Sequence, residues 1–519
     1  MKINSTRLSG IAGALSSGNS YLNDGRRLFH LAVLWFSGLS LWPVWRFRFP
    51  SMQDYPQHLF ISYLLSTFDN PSFDWGKHYV VDLKADSYNL FYYITKFFYL
   101  FCDIETAGKL FISIYIILVA LLVLRASRSS NNDQTPPWGL LLLFPFSFSQ
   151  IYFLGFTNYL ISVPLLFLAL LDLDSFVSRP LSIWHTLRQF LYQLLLFVTH
   201  PFTVLLYLGF AFAGSLFYLS DGRKFRKALF APIFLALLFL LWYGMSDSQG
   251  GSGLASDWGV KWWPADIALG FYMLMFTGMK WTSGVDWSAT SIWLTIVGLF
   301  MFACIVHRKN IVFPWKMASF FLLSLLGYAF MPFVITYYQF FNARMALVSY
   351  FSLAFIFARI KLGSKAVLLF VGLATLLMVL SSNLQEKLSR ETAEIMPLLA
   401  RMEKNAVVLP LILYSSAAGL DPVFFDEFHK HEPNYYHIFV GGGTTPALFS
   451  NPLLPVQYKL GVALPVPTNL TPASLQPYAP YYRYLLIRGA PDVYIWDLSH
   501  YYNFIAVSGA WSLFESPLI

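Results

Sequence analysis

The sequence is poor in charge and nearly devoid of cysteine. Only 12% of its 519 residues are Asp, Glu, Lys or Arg, about half the share carried by ordinary soluble domains. The two cysteines, Cys102 and Cys304, lie in or beside apolar stretches. They form no disulfide framework and have no zinc-ligand spacing, so they do not report the compartment. The net charge of +8 is not gathered into one basic tract, which argues against nucleic acid as a partner. No repeat of fixed period runs through the chain. The run Gly441-Gly442-Gly443 lacks the spacing and following lysine of a phosphate-binding loop, so it reads as a plain loop.

What the chain has in excess is apolar surface. Hydrophobic residues make up 57% and aromatic residues 19% of the sequence. A bilayer core of about 30 Å needs about 20 apolar residues per helix. On that measure eleven candidate spans emerge, at 29–47, 106–125, 138–154, 158–176, 187–201, 202–220, 228–246, 288–307, 315–336, 345–360 and 365–382. The predicted fold is therefore a membrane all-α bundle of about eleven transmembrane helices. Residues 1–28 form a polar N-terminal tail, and the first span lacks a small-residue cleavage site, so it reads as a retained anchor. The apolar stretch 88–102 is short and contains Lys96, and it reads as a helix lying in the interface or packed on the bundle.

Basic residues set the orientation. With the N-terminus inside, the inner loops carry Arg26 and Arg27, Arg125 and Arg128, Arg179, the cluster Arg223, Lys224, Arg226 and Lys227, then Arg308 and Lys309, and finally Arg359, Lys361 and Lys365. This follows the positive-inside rule and favours an odd number of spans. Residues 48–105, 247–287, 337–344 and everything after 383 then face outward. The tail, 383–519, has strand-like pieces at Ala406–Tyr414, Tyr484–Arg488, Phe504–Val507 and Trp511–Phe514, enough for a small α/β domain outside the membrane.

Polar residues at span ends are the candidate chemistry. Gln53-Asp54-Tyr55-Pro56-Gln57-His58 follows the first span, with an acid and a histidine four residues apart and so on one face of a helix. Charge held near lipid is costly and marks functional positions. Asp54 is the candidate base. It is also a good helix N-cap, because proline follows in the first turn. His58 is a second proton carrier, a phosphate donor, or one ligand of a divalent metal that would need further ligands. Asp82 and Asp86 are candidate second acids. Asn158, in the break Gly155-Phe156-Thr157-Asn158, and His200, in Thr199-His200-Pro201, are candidates to line a site or to bond between helices. Arg344 is a lone cation in a short outer loop, suited to a phosphate or to a snorkelling role. His429, His431 and His437 read as surface residues of the tail.

The segments Asp54-Tyr55-Pro56-Gln57-His58-Leu59, Gly155-Phe156-Thr157-Asn158-Tyr159-Leu160 and Thr199-His200-Pro201, with the order of span, long outer loop and C-terminal outer domain, resemble the GT-C superfamily of integral membrane glycosyltransferases. The resemblance implies transfer of a sugar from a lipid-phosphate (polyprenyl-phosphate) donor to a glycan, lipid or protein acceptor. It implies an inverting displacement with Asp54 as base. It also implies a multi-pass protein of a bacterial inner membrane, with a cytoplasmic N-terminus and a periplasmic tail. The chain departs from the family in having no adjacent acidic pair after its first span. Two other readings compete: a transporter or flippase, and a non-catalytic assembly protein built on a similar bundle.

Overall fold

The computed structural model describes residues 5–519 apart from 83–86, 130–135, 181, 248–259, 262–286, 307–313, 333, 336–340, 415–416, 418–427, 447, 449–453, 460 and 463. The chain is mostly helical. Helix α1 (Ser5–Arg46) leads through a loop to α2 (Tyr55–Thr67), α3 (Trp75–His78) and strand β1 (Tyr79–Val81). Then come α4 (Leu90–Tyr99) and α5 (Ile104–Ser129). A 3-10 turn (Trp138–Leu142), α6 (Leu143–Phe146) and α7 (Gln150–Leu154) make a broken apolar segment, followed by α8 (Thr157–Ser178), α9 (Ile183–Thr199) and α10 (Pro201–Ser215). Helices α11 (Gly222–Phe230), α12 (Ile233–Asp247), α13 (Trp287–Val306), α14 (Trp315–Phe330), α15 (Phe341–Phe357) and α16 (Ser364–Ala393) complete the helical part, with short strands β2 (Val260–Lys261) and β3 (Val334–Ile335) paired between them.

These helices are those of a membrane protein. Five among the described residues are long and apolar enough to cross a bilayer: Gly25–Arg46, Ile104–Arg128, Thr157–Ser178, Pro201–Tyr218 and Ser364–Leu399. Trp138–Leu154, Ser291–Val306, Trp315–Phe330 and Asn342–Phe357 are shorter apolar helical segments. Each of the eleven expected windows contains helix, but 315–336 runs past the end of α14 at Phe330 into strand β3. The stretch 88–102 holds the ten-residue α4, which buries Phe91, Tyr92 and Thr95, while Phe97 and the following Leu100 and Phe101 are exposed. Helix α8 is the axis of the bundle, buried at every position from Thr157 to Leu173. Around it Trp138–Phe153 is equally buried. Non-helical backbone there has protein rather than lipid around it, the condition under which it survives at membrane depth.

Beyond α16 come α17 (Met396–Leu399), β4 (Val408–Ile412), β5 (Val456–Tyr458), α18 (Pro472–Leu475), β6 (Tyr484–Arg488), α19 (Asp492–Leu498), β7 (Asn503–Ser508) and β8 (Trp511–Glu515). The sheet order is β4-β6-β8-β7, with β4 and β6 parallel and the other pairs antiparallel. Side chains alternate between its two faces, as strand geometry requires. Leu409, Leu411, Leu485, Ile487 and Phe514 pack with Leu475 and Leu498 of α18 and α19 into a separate small core. Val408, Tyr484, Leu486, Trp511 and Leu513 point the other way and join the main core with the helices. Helix α16 runs unbroken through position 383, and β5 pairs antiparallel with β1, Tyr79 opposite Tyr458. The tail is thus packed into the rest of the molecule through a shared core and a shared two-stranded sheet.

Candidate functional site

Local sequence explains why a polar loop can sit in this apolar setting. Pro56 starts α2 in its first turn. The preceding residues cannot pair within that helix, so their backbone bonds elsewhere. Gln53 N–H donates to Phe153 O at 2.8 Å and Asp54 N–H to Leu154 O at 3.2 Å. Ser51 Oγ donates to Gln385 O at 2.8 Å, and Phe49 N–H to Ser389 Oγ at 3.3 Å. The Asp54 loop is therefore sewn between α7 and α16. Gly155 makes the first seam possible. It adopts φ +82°, and a Cβ there would lie 2.8 Å from Asp54 N. The left-handed conformation and the close approach both call for glycine.

Asp54 occupies the N-cap position of α2, yet its side chain makes no capping hydrogen bond. It is 27% exposed and its Oδ1 lies 3.6 Å from Nε2 of His431, an ion-pair contact longer than a hydrogen bond. His431 is itself buried. One turn along α2, His58 is buried and its Nδ1 shares a 2.7 Å hydrogen bond with the Tyr92 hydroxyl. Burial lowers the His58 imidazole to about 4, so it is neutral near pH 7.

Tyr88 ties the remaining residues together. It has φ +82°, an uncommon conformation for a bulky residue and one that neighbours must hold in place. Asn158 holds it. Its Nδ2 donates to Tyr88 O at 2.6 Å, while its Oδ1 accepts from Phe91 N–H at 2.8 Å. Ser87 Oγ also donates to Phe197 O at 2.6 Å. The Tyr88 ring meets His200 at 5.2 Å and His58 at 6.4 Å between centroids. Burial pushes its hydroxyl up to about 12, with Arg344 opposing and Asp54 adding to the shift. One phenol thus feels both the acid and the cation. The buried Arg344 guanidinium lies 4.5 Å from the Phe156 ring centre and 5.8 Å from that of Tyr159, which are cation–π distances. Tyr159 also donates its hydroxyl to Arg344 O at 2.6 Å.

Five residues singled out from sequence therefore bear on one tyrosine, although they span 290 positions of chain: His58, Asn158 and His200 through contact, Asp54 and Arg344 through charge. Their roles differ. Asn158 spends both ends of its amide on backbone, so it positions rather than lines. His200 packs between Tyr88 and Tyr159, and its Nδ1 accepts from Phe202 N–H at 3.2 Å, capping α10. Asp82 does not join the group. It is exposed just after β1, where its N–H donates to Pro455 O at 2.9 Å. Asp86 lies outside the described residues. Among the described residues, no three or more His, Cys, Asp or Glu are grouped to hold a metal ion. Asp54 and His58 therefore gain no further ligand of that kind there.

The tail histidines are not surface residues. His429, His431 and His437 are all buried, and each takes a different partner. His429 bridges Glu432 at 2.8 Å and Glu391 at 3.3 Å. Thr392 Oγ1 donates to the same Glu432 carboxylate at 2.6 Å, and Arg488 lies 3.5 Å from Glu391. Burial alone would lower the His429 imidazole, but these two carboxylates outweigh it and leave it raised. This network fixes the segment carrying His431 against α16. His437 stacks on Phe60 of α2 at 4.2 Å and bonds Gly442 O through Nδ1 at 2.9 Å. In the loop after α2, Asp74 Oδ1 accepts from Gly443 N–H at 2.7 Å and Oδ2 meets His78 at 3.1 Å. Burial would raise that carboxyl, yet these bonds hold it below its ordinary value.

Sequence reasoning missed Tyr88 and His431. Tyr88 stands in an aromatic-rich run with nothing local to mark its strain. The run His429-Lys430-His431-Glu432 was the available signal for the second, since charged residues become costly only where the chain buries them. No protein-family model, no curated protein and no solved structure matches this chain.

Proposed function

We propose that the chain is an integral membrane glycosyltransferase of the GT-C kind, moving a sugar from a lipid-phosphate donor to an acceptor at the outer face of a bacterial inner membrane. Its eleven apolar segments all cross the bilayer, the N-terminus is cytoplasmic, and Asp54 emerges on the opposite side with the tail. The acceptor hydroxyl attacks the anomeric carbon as the bond from that carbon to the phosphate oxygen breaks. The hydroxyl proton passes to the Asp54 carboxylate, and the bonding electron pair leaves with the phosphate. Arg344 supplies positive charge for the departing phosphate, the electrostatic half of such a displacement. His431 orients Asp54 and takes the place of the second acid that the chain lacks. His58, neutral and bonded to Tyr92, shapes the wall.

The observation that carries this reading is the Asp54 side chain. It forgoes its helix-capping bond, stays partly exposed and meets a buried histidine from the far end of the chain. A purely structural N-cap would do the reverse. The test is Asp54→Asn in proteoliposomes loaded with polyprenyl-phosphate-linked labelled sugar. The variant should fold as the parent does and lose about 10²–10⁴-fold in transfer, the usual worth of a general base. Unchanged transfer would remove Asp54 from the reaction. Label that accumulates in the lumen without becoming covalently attached would make the bundle a transporter.

A further inference from the structure

A cavity with both polar and apolar walls lies at the far end of α8 from Tyr88. Asn158 opens α8 beside Tyr88, and Phe176 lies 18 residues further along the same helix, about 27 Å away at helical rise. There a cavity of about 560 Å³ opens between α8, α9, α11 and α12, within the usual size of small-molecule sites. Its apolar lining includes Phe176, Phe190, Phe230 and Phe234, with the Phe190 and Phe234 rings 4.1 Å apart. Its polar lining includes Arg223, Arg226 and Lys227 of α11.

Another lining group points to a ligand. Gln189 is 3% exposed. Its Nε2 is bonded to the Tyr207 hydroxyl, while its Oε1 is buried with no hydrogen-bond partner among the described residues. A buried amide oxygen left this way costs free energy unless something fills the cavity. Tyr207 can donate as well as accept, so the amide serves a ligand hydroxyl through oxygen or a phosphate through nitrogen. Outside the cavity the surface is greasy: Leu187, Leu191 and Ile233 are exposed. Arg223 and Arg226 are exposed at the same level.

We propose that this cavity binds one anionic phospholipid of the adjoining leaflet. The phosphate lies against the α11 cations, a headgroup hydroxyl reaches Gln189, and an acyl chain lies along Phe190 and Phe234. A free phosphate finds no use for four aromatic walls, and a zwitterionic headgroup brings an ammonium among three cations. Basic residues at a bilayer surface attract anionic lipid.

The test uses the full-length protein in detergent, titrated with phosphatidylglycerol, phosphatidylcholine or glycerol 1-phosphate and read by native mass spectrometry. Phosphatidylglycerol should be retained in preference to phosphatidylcholine. The double variant Arg223→Gln, Arg226→Gln should bind it about 30-fold more weakly, roughly five-fold per cation removed. Its thermal midpoint without lipid should match the parent, since neither guanidinium supports the core. Phe190→Ala should weaken lipid binding while leaving glycerol 1-phosphate binding unchanged. Equal retention of the two lipids overturns the proposal, as does a double variant that binds phosphatidylglycerol like the parent. Glycerol 1-phosphate competing as strongly as whole lipid would make this a soluble-phosphate site and overturn it too.

Discussion

Replacing Gly155 with alanine tests how the Asp54 loop is held. The residue sits at φ +82°, where an L side chain costs about 1–2 kcal/mol. The new Cβ would lie 2.8 Å from Asp54 N and 3.1 Å from Tyr55 N. Those neighbours are backbone, so the seam must part rather than a side chain swing away. Parting it strains the Gln53–Phe153 and Asp54–Leu154 hydrogen bonds, each worth about 0.5–1.5 kcal/mol net. The sum is about 2–5 kcal/mol, borne at the site rather than spread over the fold. Thermal unfolding in detergent should show a lowered midpoint, and transfer activity should fall at temperatures where the variant is still folded. Gly209→Ala is the control. It lies in α10 with nothing within 4 Å of its added Cβ, and it should be neutral or mildly stabilising. A Gly155→Ala protein with parental stability and parental transfer would refute the claim that this seam positions Asp54.

Three further outcomes follow from the same geometry. His58 has a folded value of about 4 against an ordinary 6.5. A buried neutral base of this kind contributes stability that is fully present above about pH 6.5 and is lost as pH falls toward 4, about 3 kcal/mol in all. Denaturant midpoints measured across that window should fall in the parent and flatten in His58→Gln; an equal slope in both would assign the acid sensitivity elsewhere. Asn158→Leu orphans the Phe91 N–H and the Tyr88 carbonyl in a buried setting, at about 1–3 kcal/mol each, and should release Tyr88 from its strained conformation, read by thermal unfolding. His431→Gln should keep the fold, lower the maximal transfer rate more than donor affinity, and shift the acid limb of the pH–rate profile; an unmoved profile would leave His431 with a packing role alone.

The helices and the sheet were legible because they repeat. The apolar windows each contain helix, and Tyr484–Arg488 coincides with β6 residue for residue, since strand alternation and apolar length are local signals. How many helices cross the bilayer is less legible, because short apolar helices inside the bundle and full spans look alike in composition. The break at Gly155 and the turn at His200-Pro201 were visible as interruptions, and both prove to face the Asp54 loop or Tyr88. Asp82 follows β1 and is exposed, and an acid near a short strand carries no local mark of which way it faces. His431 was misplaced for a different reason. Its burial depends on a pairing between the ends of the chain, and the run His429-Lys430-His431-Glu432 marks a charged cluster without saying what covers it. The same holds for the Glu391–His429–Glu432 bridge, whose partners are harmless charges until they are brought together.

Strand β1 and strand β5 are separated by most of the sequence, as are Asp74 and Gly443, 369 positions apart, and yet each pair is bonded. A ribosome that has threaded every apolar helix into the bilayer has therefore made only an unfinished object. Asp54 waits through almost all of synthesis with one wall missing, and His431 arrives among the last hundred or so residues. Such long-range closure is slow relative to helix insertion. Premature termination between the end of α16 and β5 should thus yield a product that inserts normally and never works.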